Sequence, residues 1–249
     1  MEFKELKACV IIPARFKSSR FPGKPIAKIL NKEMIIWVAN LSAKAVGISN
    51  VFVATDDERI ANVVKSYGYK VFITDKNHLT GTDRVAEVAN KLDYKIIVNV
   101  QGDEPMIDPG DIIKAIKLKK EFPNYVINSY CFLKEDENPK SLNIPKVVTT
   151  EDQNLIYISR SQIPLSKDNK YKSTNFKKQV CIYAFNKTEL KEFLDFGRKS
   201  ELEKIEDIEI LRFFELNKKI KMFKTNKPSL AVDVLEDLYN VEKALLKRQ

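Results

Sequence analysis

From Ala14 to Pro25 the chain reads A-R-F-K-S-S-R-F-P-G-K-P, so Arg15, Lys17, Arg20 and Lys24 crowd one short segment with two serines, Ser18 and Ser19. Neither a helix nor a strand needs that much positive charge. A phosphate-rich ligand does. The spacing is neither G-x-x-x-x-G-K-[ST] nor G-x-G-x-x-G. With one glycine, Gly23, the backbone cradle is small and side-chain cations must carry more of the contact. Arg15 and Arg20 can each grip phosphate oxygens through two N–H groups, and Lys24 can act as a mobile point charge on a reacting phosphoryl group. Lys17 reads as a solvated surface lysine.

Two further polar segments complement the first. Q-G-D-E-P (101–105) offers Asp103. A carboxylate beside phosphate needs a bridging cation, and Mg²⁺ is the hard cation suited to one or two carboxylates plus phosphate oxygens. A second carboxylate is expected from Asp233, where the apolar run S-L-A-V breaks just before a helix; the alternative for Asp233 is a helix cap. H-L-T-G-T-D-R (78–84) is the third segment. Any one of the three reads equally well as a turn, because Gly, Asp and Pro favour turns. Together, at one edge of one sheet, they point to a ligand site.

The scaffold that would bring them together is legible in the apolar pattern. A-C-V-I-I-P-A is an unbroken apolar run, as in a strand covered on both faces. M-I-I-W-V-A-N-L-S-A-K-A-V-G has helical periodicity and stops at Gly47. N-V-F-V-A-T-D-D, K-V-F-I-T-D and Y-K-I-I-V-N-V are further strands. They alternate with helices over E-R-I-A-N-V-V-K-S-Y-G-Y, over T-D-R-V-A-E-V-A-N-K-L with Thr82 as its cap, and over D-P-G-D-I-I-K-A-I-K-L-K-K-E-F. Strands separated by helices imply a mainly parallel sheet with right-handed crossovers. After Tyr125 the rhythm changes. Strands are expected at Y-V-I-N-S-Y-C-F-L, Q-V-C-I-Y-A-F and K-I-K-M-F-K-T, with a hairpin over 145–161 turning at E-D-Q-N. Helices are expected over K-T-E-L-K-E-F-L-D-F, L-E-K-I-E-D-I-E-I-L-R-F-F-E-L-N and V-L-E-D-L-Y-N-V-E-K-A-L-L-K. The expectation is therefore an α/β fold of one domain, 1–249. Its mainly parallel sheet is flanked by helices and extended by antiparallel strands. An excursion near 135–178 is expected to serve as a flap or an oligomer contact.

Composition narrows the class. The chain has 249 residues, 44% hydrophobic and 31% charged, with a net charge of +9. The lysines are scattered among acids and accompany no helix-turn-helix or zinc pattern, so the charge argues for anionic small molecules rather than nucleic acid. No apolar run approaches the roughly 20 residues a membrane span needs. Cys9, Cys131 and Cys181 are distant, odd in number and set among apolar residues, which fits reduced core thiols and a cytoplasmic protein. A single histidine, His78, excludes a His-rich metal site.

The segments I-I-P-A-R-F-K-S-S-R-F-P-G-K-P, V-A-T-D-D, T-G-T-D-R, V-N-V-Q-G-D-E-P-M-I, Y-I-S-R-S-Q-I-P and V-D with L-E-D-L resemble, in order, the cytidylyltransferases that activate 3-deoxy-manno-octulosonate (Kdo). The related enzymes for sialic acids have a first loop richer in glycine and lysine and fit less well. The resemblance implies a mononucleotide-binding, Rossmann-like α/β fold and a homodimer that transfers CMP from CTP to the anomeric hydroxyl of a 2-keto-3-deoxy sugar acid, releasing pyrophosphate. It implies that Arg15, Arg20 and Lys24 hold the triphosphate, with Ser19 and Arg84 alongside, and that Asp103 and Asp233 hold Mg²⁺. Thr80 and Thr82, with the backbone near Ala14, would read the cytosine. Gln101, Arg160, Tyr183 and Glu206 would face the sugar acid.

The acceptor side departs from the family's pattern. Gln179-Val180-Cys181-Ile182-Tyr183-Ala184-Phe185 stands where the family has His-x-Gly-Ile-Tyr-x-Tyr, and Glu209-Ile210-Leu211-Arg212 where it has Glu-Gln-Leu-Arg. Val234 stands where it has Thr. If Gln179, Phe185 and Ile210 face the acceptor, fewer polar groups meet its hydroxyls, and a close analogue of Kdo or another surface-polysaccharide precursor becomes the alternative acceptor. A catalytically inactive relative and a basic nucleic-acid-binding protein are the remaining classes.

Overall fold

The computed structural model describes residues 7–17, 21–168 and 175–247. In chain order the strands and helices are β1 (Ala8–Ala14), β2 (Lys28–Ile29), β3 (Lys32–Glu33), α1 (Met34–Val46), β4 (Val51–Thr55), α2 (Glu58–Ser66), β5 (Lys70–Ile73), α3 (Gly81–Asn90), β6 (Ile96–Val100) and α4 (Pro109–Glu121). They continue with β7 (Tyr125–Phe132), β8 (Lys146–Thr149), β9 (Leu155–Ser159), β10 (Lys177–Phe185), α5 (Lys187–Asp195), α6 (Glu201–Glu206), α7 (Arg212–Glu215), β11 (Lys219–Lys224) and α8 (Leu235–Leu246).

Among the described residues the main sheet runs β11-β7-β10-β6-β1-β4-β5, with β8 and β9 added beside β10. β6, β1, β4 and β5 are parallel, so their carboxyl ends deliver the loops after β1, β5 and β6 to one edge. β10 enters antiparallel to both β6 and β7, while β11 lies parallel to β7. β1, β4 and β6 are buried throughout. The apolar side chains of α1, α2 and α4 cover one face of the sheet, and those of α3, α5 and α7 cover the other. This is the α/β sheet expected from the apolar runs, with its antiparallel extension.

Two local details differ from the sequence reading, and one alternative it left open is not met. Helix α3 is capped by Thr80, whose Oγ1 accepts from the Asp83 N–H, and Thr82 already lies inside its first turn. The helix expected over 202–217 is broken. Asp207 takes a left-handed conformation with φ of 49°, ending α6, and a 3₁₀ turn at Glu209–Leu211 precedes α7. Periodicity continues through 207–211, so the break is invisible in the pattern. Asp233 does not cap α8; the carboxylate of Asp237 accepts from the N–H groups of Asp233 and Val234 instead.

Candidate active site

The loops at the sheet edge enclose a cavity of about 600 Å³. One wall begins at Ala14 and Arg15, at the end of β1, and includes Lys24. The segment between them is closed at its base by the Gly23 N–H donating to the Phe16 carbonyl at 2.9 Å, a turn that places Gly23 at φ of +73°. Ser19 and Arg20 lie outside the described residues. Lys17 is exposed and off the cavity, as expected of a solvated lysine.

Gln101 and Asp103 reach the same cavity from the end of β6. Gly102 between them has no room for a side chain, since a Cβ would stand 2.9 Å from the Pro13 carbonyl. That close approach seats the Asp103 loop directly on the end of β1. Lys24 donates to Asp103 Oδ2 at 2.7 Å and to the Val232 carbonyl at 2.8 Å. The Val232 N–H in turn donates to the Asp103 carbonyl at 2.9 Å. The strap before α8 is thereby stitched to the Asp103 loop, and Asp233 lines the same cavity. Val232, Leu238 and Val241 pack with Ile29, Met34 and Met106, which anchors α8 and holds the strap in place.

The loop after β5 brings Thr80 and Arg84 to the cavity. Thr80 donates to Asp83 Oδ2 at 2.7 Å. Arg84 is held by Thr74, by the Asp75 carbonyl at 3.2 Å and by Asp56 Oδ2 at 3.1 Å. Thr82 is not on the cavity wall. It is buried, and its hydroxyl donates to Glu209 at 2.6 Å. Glu209 does line the cavity, and it also accepts from the N–H groups of Gly81 at 3.1 Å and Thr82 at 2.9 Å. A carboxylate at a helix N-terminus satisfies donors that have no partner within the helix. Burial nevertheless raises its pKa, opposed by those hydrogen bonds. Behind this corner Arg212, fully buried, clamps Glu203 through two bonds of 2.7 Å and reaches Asp83 Oδ1 at 2.7 Å. That brace ties the start of α3 to α6 and α7.

The opposite wall comes from β10 and the excursion. A bulge between Val180 and Tyr183 shifts the register against β7. Asn128 holds it by donating to the carbonyls of Val180 and Ile182 at 3.1 and 3.0 Å, and Ser129 by donating to Val180 at 3.0 Å. Bulges re-aim side chains, and this one turns Gln179, Cys181 and Tyr183 to the cavity. Gln179 donates to Asn128 and to the Tyr183 hydroxyl at 3.0 and 3.2 Å. Burial drives the pKa of both Cys181 and Tyr183 well up, so both stay neutral. Arg160 lines the cavity with its guanidinium braced on three carbonyls: Glu206 at 2.6 Å, Leu142 at 2.8 Å and Asp207 at 3.1 Å.

Glu206 itself does not reach the cavity. Its carboxylate accepts from Ser159 at 2.6 Å and from the Arg160 N–H at 2.8 Å. Ile210 and Phe185 also lie elsewhere. Ile210 is 1% exposed within the apolar core, and Phe185 stacks between Tyr183 and Phe213. Of the three acceptor-side departures argued from sequence, only Gln179 meets the cavity. For Ile210 the 3₁₀ turn is the reason, because Glu209 lines the cavity while Ile210 is buried in the core. Glu104 was not singled out from the sequence. It accepts from Ser229 Oγ and from the Cys181 N–H at 3.3 Å, and burial pushes its carboxyl up to about 7. Its place in Q-G-D-E-P was the available signal.

The arrangement brings Arg15 and Lys24, the carboxylates of Asp103 and Asp233, and a polar wall carrying a fixed arginine onto one cavity. Comparison with known proteins agrees with that chemistry. Residues 9–220 match the family model described as cytidylyltransferase. The chain is similar to the 3-deoxy-manno-octulosonate cytidylyltransferase of Syntrophotalea carbinolica, with 41% identity over 240 residues covering 93% of this chain and 96% of the relative. It is similar also to the 8-amino-3,8-dideoxy-manno-octulosonate cytidylyltransferase of Shewanella oneidensis, with 36% identity over 248 residues covering 96% and 99%. Among solved structures, a CMP:2-keto-3-deoxy-manno-octonic acid synthetase complexed with CTP superposes with a TM-score of 0.88 at 32% identity, covering 97% of this chain and 99% of that one.

Proposed function

The chain belongs to the cytidylyltransferase family, and on that footing we propose that it transfers CMP from CTP to the anomeric hydroxyl of Kdo, releasing pyrophosphate. One observation carries the reading: the Lys24–Asp103 corner and the braced Arg160 wall open onto a single cavity. Arg15 and Lys24 meet the charge of the triphosphate. Positioned cations of this kind supply most of the catalysis in phosphoryl and nucleotidyl transfer, where the chemistry is largely alignment. The acceptor hydroxyl attacks the α-phosphorus; the new O–P bond forms as the bond to pyrophosphate breaks, and the hydroxyl's proton passes to solvent water. Arginine has five N–H donors, and Arg160 commits three of them to carbonyls. The others are available to the carboxylate of the sugar acid. Gln101, Gln179 and Tyr183 provide the polar surface for its hydroxyls.

Asp103 and Asp233 suit Mg²⁺. Both are hard oxygen donors on one cavity, and the Asp103 oxygen already holds an ammonium at 2.7 Å. Two carboxylates leave coordination positions for phosphate oxygens and water, which is how Mg²⁺ is usually bound. When bound, the ion neutralises phosphate charge. We further read the protein as a cytoplasmic homodimer, with the excursion as the dimer contact. The three free cysteines and the exposed Leu142, Ile156 and Leu165 of the excursion support this. Among the described residues no helix is long and apolar enough to cross a membrane. Sedimentation equilibrium tests the dimer, and a mass equal to one chain at micromolar concentration would remove it.

The reaction itself is tested by ³¹P NMR of the protein with CTP, Kdo and Mg²⁺. A new phosphodiester resonance should appear together with pyrophosphate, and only when Kdo is present. Pyrophosphate without the phosphodiester would mean hydrolysis rather than transfer.

A further inference from the structure

Lys146, at the start of β8, is fully buried. Its ammonium donates to the carbonyls of Ser141 at 2.7 Å, Ile144 at 2.6 Å and Arg160. An ammonium has three N–H donors, so all are committed to backbone. Lys119, the comparable buried lysine, has the Glu189 carboxylate at 2.6 Å in addition to two carbonyls. Burying a charge is costly, and Lys146 has no carboxylate in its hydrogen-bond shell; Glu206 attracts it only from beyond hydrogen-bond reach. The positions of the three carbonyls suggest why such a group is there.

Ser141 and Ile144 belong to a turn of the excursion and line the cavity; Arg160 follows the end of β9. Between Ser141 and Ile144 lies Leu142, whose carbonyl accepts from Arg160 Nη1 at 2.8 Å. The lysine and the arginine therefore cross-brace one turn. Lys146 ties the turn to the Arg160 backbone, and the Arg160 guanidinium takes its bearing from the turn. Neither Glu206 nor Asp207 can set that bearing alone, because they hold the guanidinium only from the other side, at Nε and Nη2.

We propose that Lys146 is a positioning residue for the acceptor: it holds the 141–144 turn so that the Arg160 guanidinium is aimed at the acceptor's carboxylate. This rests on the reading of Arg160 as the carboxylate's partner. Lys146 touches neither substrate, so its effect must pass through Arg160.

The test is a double-mutant cycle in steady-state kinetics with Kdo and CTP, using Lys146→Met, Arg160→Met and both together. Lys146→Met should raise KM for Kdo about tenfold or more and leave KM for CTP within about twofold, because a general loss of packing would move both. The double variant should use Kdo no worse than Arg160→Met alone. Lys146→Arg, which keeps cation and donors, should recover part of the loss. An unchanged KM for Kdo in Lys146→Met would overturn the inference, as would single effects that multiply in the double variant. An unchanged KM for Kdo in Arg160→Met would instead overturn the reading beneath it. If Lys146→Met does not fold, Lys146→Gln carries the same comparison. If no substitution at this position folds, Lys146 is a folding residue and the inference fails.

Discussion

Lys24 joins three parts of the site, since one ammonium bonds to the Asp103 carboxylate and to the strap that carries Asp233. Replacing it by alanine should cost activity far more than stability. A hydrogen bond to a charged group contributes about 1.5–3 kcal/mol, so kcat/KM for CTP should fall roughly tenfold to a hundredfold. Arg15→Ala should behave similarly, and Lys17→Ala should lie within about twofold of wild type. Equal losses at Lys17 and Lys24 would contradict this assignment of the loop. These cations were legible in the sequence because charge without a helical or strand role implies a ligand. Thr82, Glu206 and Ile210 were misplaced for a shared reason: each sits next to a residue that does reach the cavity or braces it. Which neighbour faces inward is decided by the start of α3 or by the turn at 207–211, and tertiary contacts set both. Glu209 leaves the helical path to cap α3, a partnership across more than a hundred residues that no local pattern records.

At the scale of elements, the site depends on how closely β1 and β6 end together. Gly102→Ala places a Cβ 2.9 Å from the Pro13 carbonyl, and backbone cannot retreat as a side-chain tip would. The Asp103 loop should shift, with a stability loss of about 1–3 kcal/mol. CTP turnover should fall by more than that loss explains, as measured by thermal melts beside kinetics. Wild-type turnover in a folded Gly102→Ala protein would mean the approach is not needed. Helix α4 carries a pH-dependent cost away from the cavity. Burial raises the pKa of Asp111 from 3.8 to about 6, against the hydrogen bond from the Asn226 N–H at 2.8 Å. An acid with a raised folded pKa favours the folded state most below its unfolded pKa. That contribution is lost as pH rises from about 4 through about 6. Relative to wild type, Asp111→Asn should therefore gain on the order of 1–2 kcal/mol between pH 4 and pH 7, after allowance for solvent screening. Denaturant melts at the two pH values measure it, and a difference that does not change with pH would remove Asp111 as the cause.

Across the whole molecule, the sheet was legible because buried parallel strands are continuous apolar runs and their crossover helices are amphipathic. β1, β4, β5 and β6 fall where the pattern put them, as does the hairpin of β8 and β9. What the pattern could not carry was the β10 bulge, which Asn128 and Ser129 hold from a strand fifty residues away. Nor could it say which acceptor-side residues the bulge and the 207–211 turn would expose. With Ile210 and Phe185 in the core, the departures that suggested an altered acceptor lose most of their geometric basis, and Kdo, which the relatives name, remains the proposed acceptor. The most direct measurement is pyrophosphate release by the purified protein with CTP and Mg²⁺ across a panel of sugar acids, with the Asp103→Asn variant alongside. The expected result is turnover that requires an acceptor, with Kdo giving the highest kcat/KM, by about tenfold or more over sialic acids, and little activity in the variant. Turnover with another sugar acid but none with Kdo, or an Asp103→Asn protein as active as wild type, would contradict the account.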